Sequence, residues 1–551
     1  MRAVIAAARG MAPADLVVRN ARVVDVFNGA VVRTDVAVKD GLVAGLGDYP
    51  SARETVDAGG LFVLPGLIDG HVHIESSLLT PANFAAAAAP HGTTAVVADP
   101  HEIVNVAGRQ GFDFMQAASA GLPVDFYFMV PSCVPATPLE TGGAVFGPAE
   151  VAAALAAGGR TPGLGEMMNY PGVCGGDEAV LAKIAAAKAR GLAVDGHAPL
   201  LCGRELNAYV SAGIGSDHEC TSAEEARAKV RLGMHVLIRE GSAARNLLAL
   251  LPAVTERNAA CFSFCTDDRH AADLVAEGEM DNVLRRAVAA GLDPVTAVRM
   301  ATLHPARHYR LTGLGAVAPG YRADFALVGD LRDFAVARVY KGGRLVAEDG
   351  RPVGDWPQPA GGELRATVKL PALRGRFALP PAPEGARANV IEVTPGQIVT
   401  GWRRMTAAEV AAGGLARVAV VERYGRSGAV TVGLVKGFGP LRGALASSIA
   451  HDSHNVIVVG TDEAAMETAA LAVGAAGGGG GGGLRPGGGG GRGHRLHAAG
   501  AVHGAVLSGA AGDSGAEDHG PRAGGRGAVR VCRFVGKVRG NGPGRPELVR
   551  K

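Results

Sequence analysis

Short apolar segments rich in β-branched residues alternate with Ala-rich amphipathic segments between residues 62 and 310. The amphipathic segments place apolar residues three and four positions apart, the spacing of a helix that buries one face. Eight strand–helix units in roughly 250 residues predict a (β/α)8 TIM-like barrel, in which functional side chains gather at the carboxyl ends of the strands. The eight predicted strands are LFVLPGLID, TTAVVADP, PVDFYFMVP, GLGEMMN, GLAVDGHAP, GIGSDHE, HVLIREG and CFSFCTDD.

The segments on either side of this region have other patterns. Residues 14–60 and 320–350 alternate apolar and polar positions and contain Asn-Gly and Asp-Gly turns, as antiparallel strands do. Residues 375–474 mix strand and helix patterns. We therefore predict an α/β protein of three domains. They are a composite β-sandwich domain (1–61 with 316–370), a barrel domain (62–315) and a C-terminal α+β domain (371–475).

Residues 476–551 do not fit a folded domain. They are rich in Gly and Arg and have no hydrophobic period, so we expect disorder there. The change is abrupt because it directly follows the amphipathic segment TDEAAMETAALAV. We hypothesise a reading-frame shift in the gene or its sequence record, which would leave the C-terminal domain incomplete and impair its packing. Resequencing that finds the frame intact would contradict this hypothesis.

The net charge of +3 arises in this tail, which carries 12 Lys or Arg against 4 Asp or Glu. The rest of the chain carries 43 against 48, so no basic surface predicts a nucleic-acid partner. No apolar run reaches the roughly 18 residues that predict a membrane span. The first residues, MRAVIAAARGM, hold an apolar run too short for a secretory signal. Seven cysteines without a CxxC pair fit a reducing compartment, and we expect a cytoplasmic protein.

Residues able to bind a metal ion follow five of the predicted strands. His71 and His73 lie one residue apart in an extended segment, so their side chains point the same way. A single strand-end histidine is usually structural, but six candidates at one topological position predict a binuclear metal centre. Four imidazoles and two carboxylates suit two divalent cations, with one carboxylate as a bridge. The candidates are His71, His73, Glu166, His197, His218 and Asp267.

Such a centre predicts a reaction class. Two cations that share a water molecule lower its pKa towards neutrality, and a nearby carboxylate such as Asp267 can accept the proton. The expected reaction is hydrolytic attack on an sp² carbon that bears nitrogen. The single-zinc pattern of H-x-E followed by P-C-x-x-C is absent from the sequence.

Seven motifs occur in order along the chain: PGLIDGHVHIESS, DPHEIVNVAG, GEMMNYPGV, DGHAP, SDHE, CTDDRH and AHDSHN. This series resembles the bacterial adenine deaminase family of the amidohydrolase superfamily, and the resemblance extends from residue 14 to about residue 470. It implies a metal-dependent barrel with a composite β domain and a C-terminal domain. It also implies hydrolysis of adenine to hypoxanthine and ammonia in purine salvage. We expect the protein to form a homo-oligomer, namely a dimer. The two cations would be manganese or iron, and zinc also fits the ligands.

The resemblance implies a role for each candidate ligand. His71, His73 and Asp267 would bind one cation, His197 and His218 the other, and Glu166 both. Many relatives bridge their cations with a carboxylated lysine, whereas GLGEMMN supplies a glutamate directly. The bridging hydroxide would attack C6 of adenine, Asp267 would accept its proton, and the exocyclic amine would leave as ammonia. The proton for N1 could come from Glu102, Glu219 or Asp268.

Three further groups are candidates for substrate binding, each with an alternative. The DPHE residues could hold an extra metal or contact the purine, or they could cap the next helix. The AHDSHN residues could close over the substrate from the C-terminal domain, or form a solvated turn. The two residues after CTDD could orient the substrate, or simply begin a helix. These candidates are Asp99, His101, Arg269, His270, His451, Asp452 and His454, with Glu102 also in the first group.

Other functions remain open at this level. A different binuclear amidohydrolase, of the dihydroorotase or imidazolonepropionase type, would act on a cyclic amide or another base. A non-catalytic relative that had lost its metals is disfavoured because all six candidate ligands are retained.

Overall fold

The computed structural model describes residues 1–357, 364, 366–381, 383, 385–394, 400–439 and 441–483. Most of the predicted disordered tail, residues 484–551, lies outside the described residues. Within the described residues, no helix combines the length and the apolar character needed to cross a membrane.

The chain begins with a helix and five strands. β1 pairs antiparallel with β2 and parallel with both β4 and β5. Its inward side chains, among them Leu16, Val18 and Val23, pack in a buried cluster with residues of the later strands. The bounds are α1 (Arg2–Ala8), β1 (Ala14–Asp25), β2 (Ala30–Lys39), β3 (Leu42–Leu46), β4 (Ala52–Asp57) and β5 (Phe62–Pro65).

Eight parallel strands then form the predicted barrel, which is confirmed. Ladders join β6 to β8, β9 to β10, and β11 to β13, and the pairing of Val72 with Asp267 connects the last strand to the first. Every residue of β6 and β7 is buried, as expected for strands of a parallel barrel that is covered on both faces. The bounds are β6 (Leu67–Val72), β7 (Thr93–Ala98), β8 (Asp125–Phe128), β9 (Gly163–Met167), β10 (Ala193–Gly196), β11 (Ser216–Asp217), β12 (His235–Arg239) and β13 (Phe262–Cys265).

The first predicted strand, LFVLPGLID, is not one strand. It divides at Gly66 into β5, which belongs to the flanking β sheet, and β6, which belongs to the barrel. Glycine is required at the crossing because a Cβ atom there would lie 2.1 Å from Thr94 Oγ1. A continuous apolar run therefore concealed a change of sheet.

Helices connect the barrel strands. Asp177, Ser222 and Asp293 cap α6, α8 and α12 by accepting a backbone N–H. The predicted helix RNLLALLPAVTER is wrong in length: α9 ends after one turn because Pro252 has no N–H to continue it. The bounds are α2 (Pro81–Ala88), α3 (His101–Ala118), α4 (Pro148–Ala157), α5 (Tyr170–Gly175), α6 (Glu178–Lys188), α7 (Gly203–Ser211), α8 (Ala223–Arg231), α9 (Leu247–Leu250), α10 (Ala271–Glu277), α11 (Met280–Ala289), α12 (Pro294–Met300) and α13 (Leu303–His308).

Four strands follow the barrel and join the strands that precede it. β14 pairs antiparallel with β5, which produces one nine-stranded sheet in the order β17-β16-β15-β14-β5-β1-β2-β3 with β4 beside β1. Lys341 ties this sheet to the barrel, because its Nζ lies 2.6 Å from the Asp125 carboxylate and 2.8 Å from that of Asp324. The bounds are β14 (Phe325–Val328), β15 (Val336–Lys341), β16 (Arg344–Glu348) and β17 (Arg351–Pro352).

The C-terminal region is a seven-stranded sheet in the order β19-β18-β21-β20-β23-β22-β24, with α15 packed on one face. Met466, Ala470 and Val473 of α15 bury against Val456 and Val458 of the sheet. The bounds are β18 (Arg387–Val393), β19 (Thr400–Thr406), α14 (Ala407–Ala411), β20 (Leu415–Val421), β21 (Val430–Lys436), β22 (Ala444–Ser447), β23 (Val456–Gly460), α15 (Glu463–Ala475) and β24 (Gly480–Gly483). The α+β character agrees with the prediction, while the exact division into three domains stays a proposal.

Candidate metal centre

His71 and His73 converge at the carboxyl end of β6. Their Nε2 atoms lie 3.2 Å apart, as expected for alternate residues of an extended segment. The His73 Nδ1 atom lies 2.8 Å from the Asp99 carbonyl oxygen, which leaves Nε2 directed at the centre. Asp69 accepts the backbone N–H of His71 at 3.2 Å. The His73 imidazole is therefore oriented by the segment that follows β7, and the backbone of His71 is held by Asp69.

Glu166, near the end of β9, lies between two pairs of histidines. Its Oε1 atom is 3.8 Å from His71 Nε2 and 3.2 Å from His73 Nε2. Its Oε2 atom is 2.5 Å from His197 Nδ1 and 3.2 Å from His218 Nε2. Each carboxylate oxygen thus faces one pair, which is the arrangement that a bridging ligand requires.

Asp267 follows β13 in the left-handed region, with φ of 60°. Its backbone N–H donates to the His71 carbonyl at 2.9 Å, and its carbonyl accepts from His73 N at 2.9 Å. These two bonds place the carboxylate next to the first pair of histidines, with Oδ1 3.1 Å from His73 Nε2 and 3.6 Å from His71 Nε2. The left-handed backbone conformation of Asp267, which is uncommon for residues other than glycine, is therefore fixed by the strand pairing that closes the barrel.

Arg239, the last residue of β12, was not among the sequence candidates. It is 1% exposed, and its Nη1 atom donates to Asp267 Oδ2 at 2.7 Å. Nη1 also contacts Glu219 Oε1, and Nη2 lies 3.3 Å from Glu219 Oε2. The available signal is a charged residue at the end of the apolar strand HVLIR, the position that the six candidate metal ligands also occupy on their strands.

The imidazoles of the centre pair electrostatically with its carboxylates. Burial lowers the pKa of His73, but the carboxylates of Asp267 and Glu166 outweigh it and raise the pKa well above its ordinary value. Burial raises the pKa of Glu166, but His197 and His218 lower it well below its usual range. Protons on the imidazoles thus balance the carboxylates, and divalent cations could replace those protons.

The arrangement satisfies the requirements of a two-cation site. Close groups of possible ligand atoms, each within 4.8 Å of one another, include His71 with His73 and Glu166, His71 with His218 and Asp267, and Glu166 with His197 and His218. His218 Nε2 is buried and lies 3.2 Å from Glu166 Oε2 and 3.4 Å from Glu219 Oε1. Imidazole nitrogen and carboxylate oxygen together suit iron, manganese and zinc.

We expect binding of Mn²⁺ to the metal-free protein to release protons. Burial lowers the pKa of His197, but Glu219 and Glu166 outweigh it and raise the pKa to about 9. A histidine must be neutral to bind a metal, so at neutral pH the cation has to displace this proton. Apparent affinity should therefore rise with pH up to about pH 9, as the proton on His197 is lost. Competition titrations against a chelating dye from pH 6 to 9 measure this, and an affinity independent of pH would contradict it.

A second group lies beside the centre and includes residues of the C-terminal domain. Glu102, in the first turn of α3, contacts His451 Nδ1 through Oε1, and its Oε2 atom lies 3.6 Å from His454 Nε2. His101 Nε2 lies 3.4 Å from Asp452 Oδ1. The structure thus brings together the DPHE and AHDSHN motifs, which are about 350 residues apart in the sequence.

The remaining candidates lie in different surroundings. Asp99 Oδ2 accepts the backbone N–H of Glu166 at 2.9 Å and so supports the bridging residue. Arg269 points away from the centre, where its guanidinium donates to the Gly278 carbonyl at 2.9 Å and lies 3.0 Å from Glu277. His270 precedes α10, and its backbone N–H donates to Ser242 Oγ at 2.9 Å. Substrate binding by these three residues stays a prediction, and for Arg269 the contacts favour a structural role.

The barrel and its ligand cluster define the class of protein: the chain belongs to the amidohydrolase family, whose model matches residues 62–346. Among solved structures, a D-aminoacylase with a binuclear metal centre is similar to this chain, with 17% sequence identity and a TM-score of 0.46. The alignment covers 62% of this chain and 98% of the D-aminoacylase chain.

Within that class the chain belongs to the adenine deaminase family. Residues 397–481 match the adenine deaminase C-terminal domain. An adenine deaminase of Nitratidesulfovibrio vulgaris (strain DP4) is 50% identical, over 84% of this chain and 81% of the relative. An adenine deaminase of Methanoregula boonei is 48% identical, over 85% of this chain and 82% of the relative. One of Kosmotoga olearia is 42% identical over the same shares.

Proposed function

We propose that the protein hydrolyses adenine to hypoxanthine and ammonia. The observation that carries this proposal is Glu166, whose two carboxylate oxygens face two separate pairs of histidines. The relatives named adenine deaminase, which align with more than four fifths of the chain, supply the substrate.

The six ligands would be divided between two cations. His71, His73 and Asp267 would hold one, His197 and His218 the other, and Glu166 both. When bound, such a pair of divalent cations supplies a hydroxide nucleophile at neutral pH. Manganese, iron and zinc all suit this donor set, and which of them is native depends on availability.

Asp267 is suited to accept the proton of the nucleophile. Its Oδ2 atom accepts a hydrogen bond from Arg239 Nη1 at 2.7 Å. This bond orients the carboxylate so that Oδ1 faces His71 and His73. Attack at C6 of adenine forms the C6–O bond of hypoxanthine. Cleavage of the bond between C6 and the exocyclic nitrogen then releases ammonia, with one water molecule consumed.

One of the three candidates for protonating N1 is favoured by its surroundings. Glu219 is held by Arg239 through both carboxylate oxygens. Glu102 and Asp268 instead share Ser76, whose Oγ atom lies 3.2 Å from Glu102 Oε1 and 2.5 Å from Asp268 Oδ1. A serine hydroxyl has one hydrogen and donates to only one carboxylate at a time, so a second bond at this junction requires a protonated acid. Burial raises the pKa of Glu102, but His451 and His454 outweigh it and lower the pKa well below its usual range, so Glu102 is poorly suited to carry that proton. We therefore retain Asp268 as the proton donor.

The loop of residues 450–455 is proposed to close over the substrate. Ser453 Oγ donates to the Glu140 carboxylate, and Asn455 Nδ2 donates to the Thr141 carbonyl at 3.0 Å. These bonds hold the loop against the segment that follows β8. The purine-binding roles of His101, His451, Asp452 and His454 rest on this position beside the metal centre.

Ammonia release by the manganese-loaded protein tests the function. We expect turnover of adenine, and none of adenosine, guanine or dihydroorotate assayed in parallel, because the named relatives are adenine deaminases. Turnover of dihydroorotate instead would favour the other binuclear amidohydrolases. No turnover in a sample that contains two metal ions per chain would refute the substrate, whereas no turnover without metal would indicate a defective C-terminal domain.

We also propose a purine-salvage role in the cytoplasm and a homodimer. Five of the six cysteines in the described residues are free thiols, and the absence of a CxxC pair in the sequence also suits a reducing compartment. Light scattering on the purified protein would determine the oligomeric state.

A further inference from the structure

We propose that Asp452 of the C-terminal domain is a positioning residue for the metal centre: it orients His101, and His101 orients the bridging carboxylate of Glu166. This inference rests on the proposed function for the ligand set, but it assigns a new task to two residues that the sequence associates with the substrate.

His101 lies between two carboxylates. It begins α3, is 2% exposed, and has Nε2 3.4 Å from Asp452 Oδ1. On the other side of the ring, Nδ1 lies 3.3 Å from Glu166 Oε1 and 3.6 Å from Asp99 Oδ1. The imidazole therefore links the C-terminal domain with the same oxygen of Glu166 that faces His73.

The orientation of the His101 ring matters because its space is shared with a ligand. Its edge packs against the His73 ring, with centroids 4.6 Å apart and planes at 69°. A rotation of His101 would therefore disturb both His73 and the Glu166 oxygen. Carboxylates that orient imidazoles next to a metal site typically contribute about 10- to 100-fold in metal affinity.

The loop that carries Asp452 has attachments that do not involve its side chain. The Tyr424 hydroxyl donates to the Ser453 carbonyl at 2.5 Å, and Asn455 donates to Thr141 at 3.0 Å. The Arg423 guanidinium donates to the His454 carbonyl at 3.1 Å. Replacing the Asp452 carboxylate should therefore leave the loop docked and remove only its effect on His101.

Metal affinity and the spectrum of the cobalt-substituted protein test the proposal without reference to turnover. For Asp452→Ala we expect about 10- to 100-fold weaker binding of the more weakly held ion, and altered d–d absorption of the cobalt protein. Asp452→Asn keeps an acceptor oxygen and should recover part of the affinity. Glu467→Ala, which removes a partly buried carboxylate from α15 of the same domain, is the matched control and should keep wild-type affinity and absorption.

A double-mutant cycle tests whether Asp452 acts on the metal centre through His101. If Asp452 acts through His101, then Asp452→Ala should have no further effect on metal affinity in a His101→Ala protein. Additive effects of the two substitutions would overturn the proposal, as would unchanged affinity in Asp452→Ala or an equal loss in Glu467→Ala. Metal content and adenine turnover of the wild-type protein, measured in the same preparation, report separately on the proposed function.

Discussion

Replacement of Glu166 by alanine is expected to reduce the metal content from two ions per chain to one or none. It should also lower kcat/KM for adenine on the order of 10⁴-fold or more, because the activated hydroxide depends on both cations. The reason is geometric: the two oxygens of Glu166 face different pairs of histidines, so no other described side chain lies between both pairs in the same way. Elemental analysis and initial rates on the same preparation measure both effects.

The control for this substitution is Glu178→Ala, an exposed glutamate in the first turn of α6 on the outside of the barrel. It should retain two ions and wild-type turnover. A Glu166→Ala protein that kept two ions and full activity would show that Glu166 is not the bridge.

Replacement of Arg239 by alanine is expected to lower the free energy of unfolding of the metal-free protein by about 3–5 kcal/mol, since it leaves buried carboxylates without their counter-charge. Burial raises the pKa of Asp267, and Arg239 is the main influence that lowers it well below the ordinary value. A carboxyl group with a lowered pKa contributes stability above its unfolded pKa of about 4, and that contribution is lost at neutral pH without the guanidinium.

Thermal unfolding of the metal-free proteins measures this effect, and metal titrations should show weaker binding as Asp267 loses its orientation. Arg245→Ala is the matched control. Arg245 follows β12 closely, but it pairs with Glu277 at the surface, where both side chains are about one third exposed. Such a pair contributes less than about 1 kcal/mol. Equal unfolding midpoints for the Arg239 and Arg245 variants would contradict a role for Arg239 as the buried counter-charge.

The barrel was predictable because its strands are short, buried and separated by amphipathic helices, and both periods are visible in the sequence. The candidate ligands were found by the same reasoning, since parallel strands bring their carboxyl ends together whatever the details of packing. The errors occurred where a local pattern is ambiguous. An apolar run cannot reveal that the chain changes sheets at Gly66, and the pattern that continues through Pro252 overstated α9.

The sequence by itself determined the class of fold, the C-terminal α+β domain and the set of residues from which a metal centre could be assembled. These depend on local periodicity and on the position of polar residues at strand ends, which act within a few residues of one another. Only the tertiary structure decided how the set is connected: that each oxygen of Glu166 faces its own histidines, that Arg239 holds Asp267, and that Asp452 reaches His101 from another domain. Those contacts join residues far apart in the chain, and their geometry depends on packing between elements that no local pattern encodes.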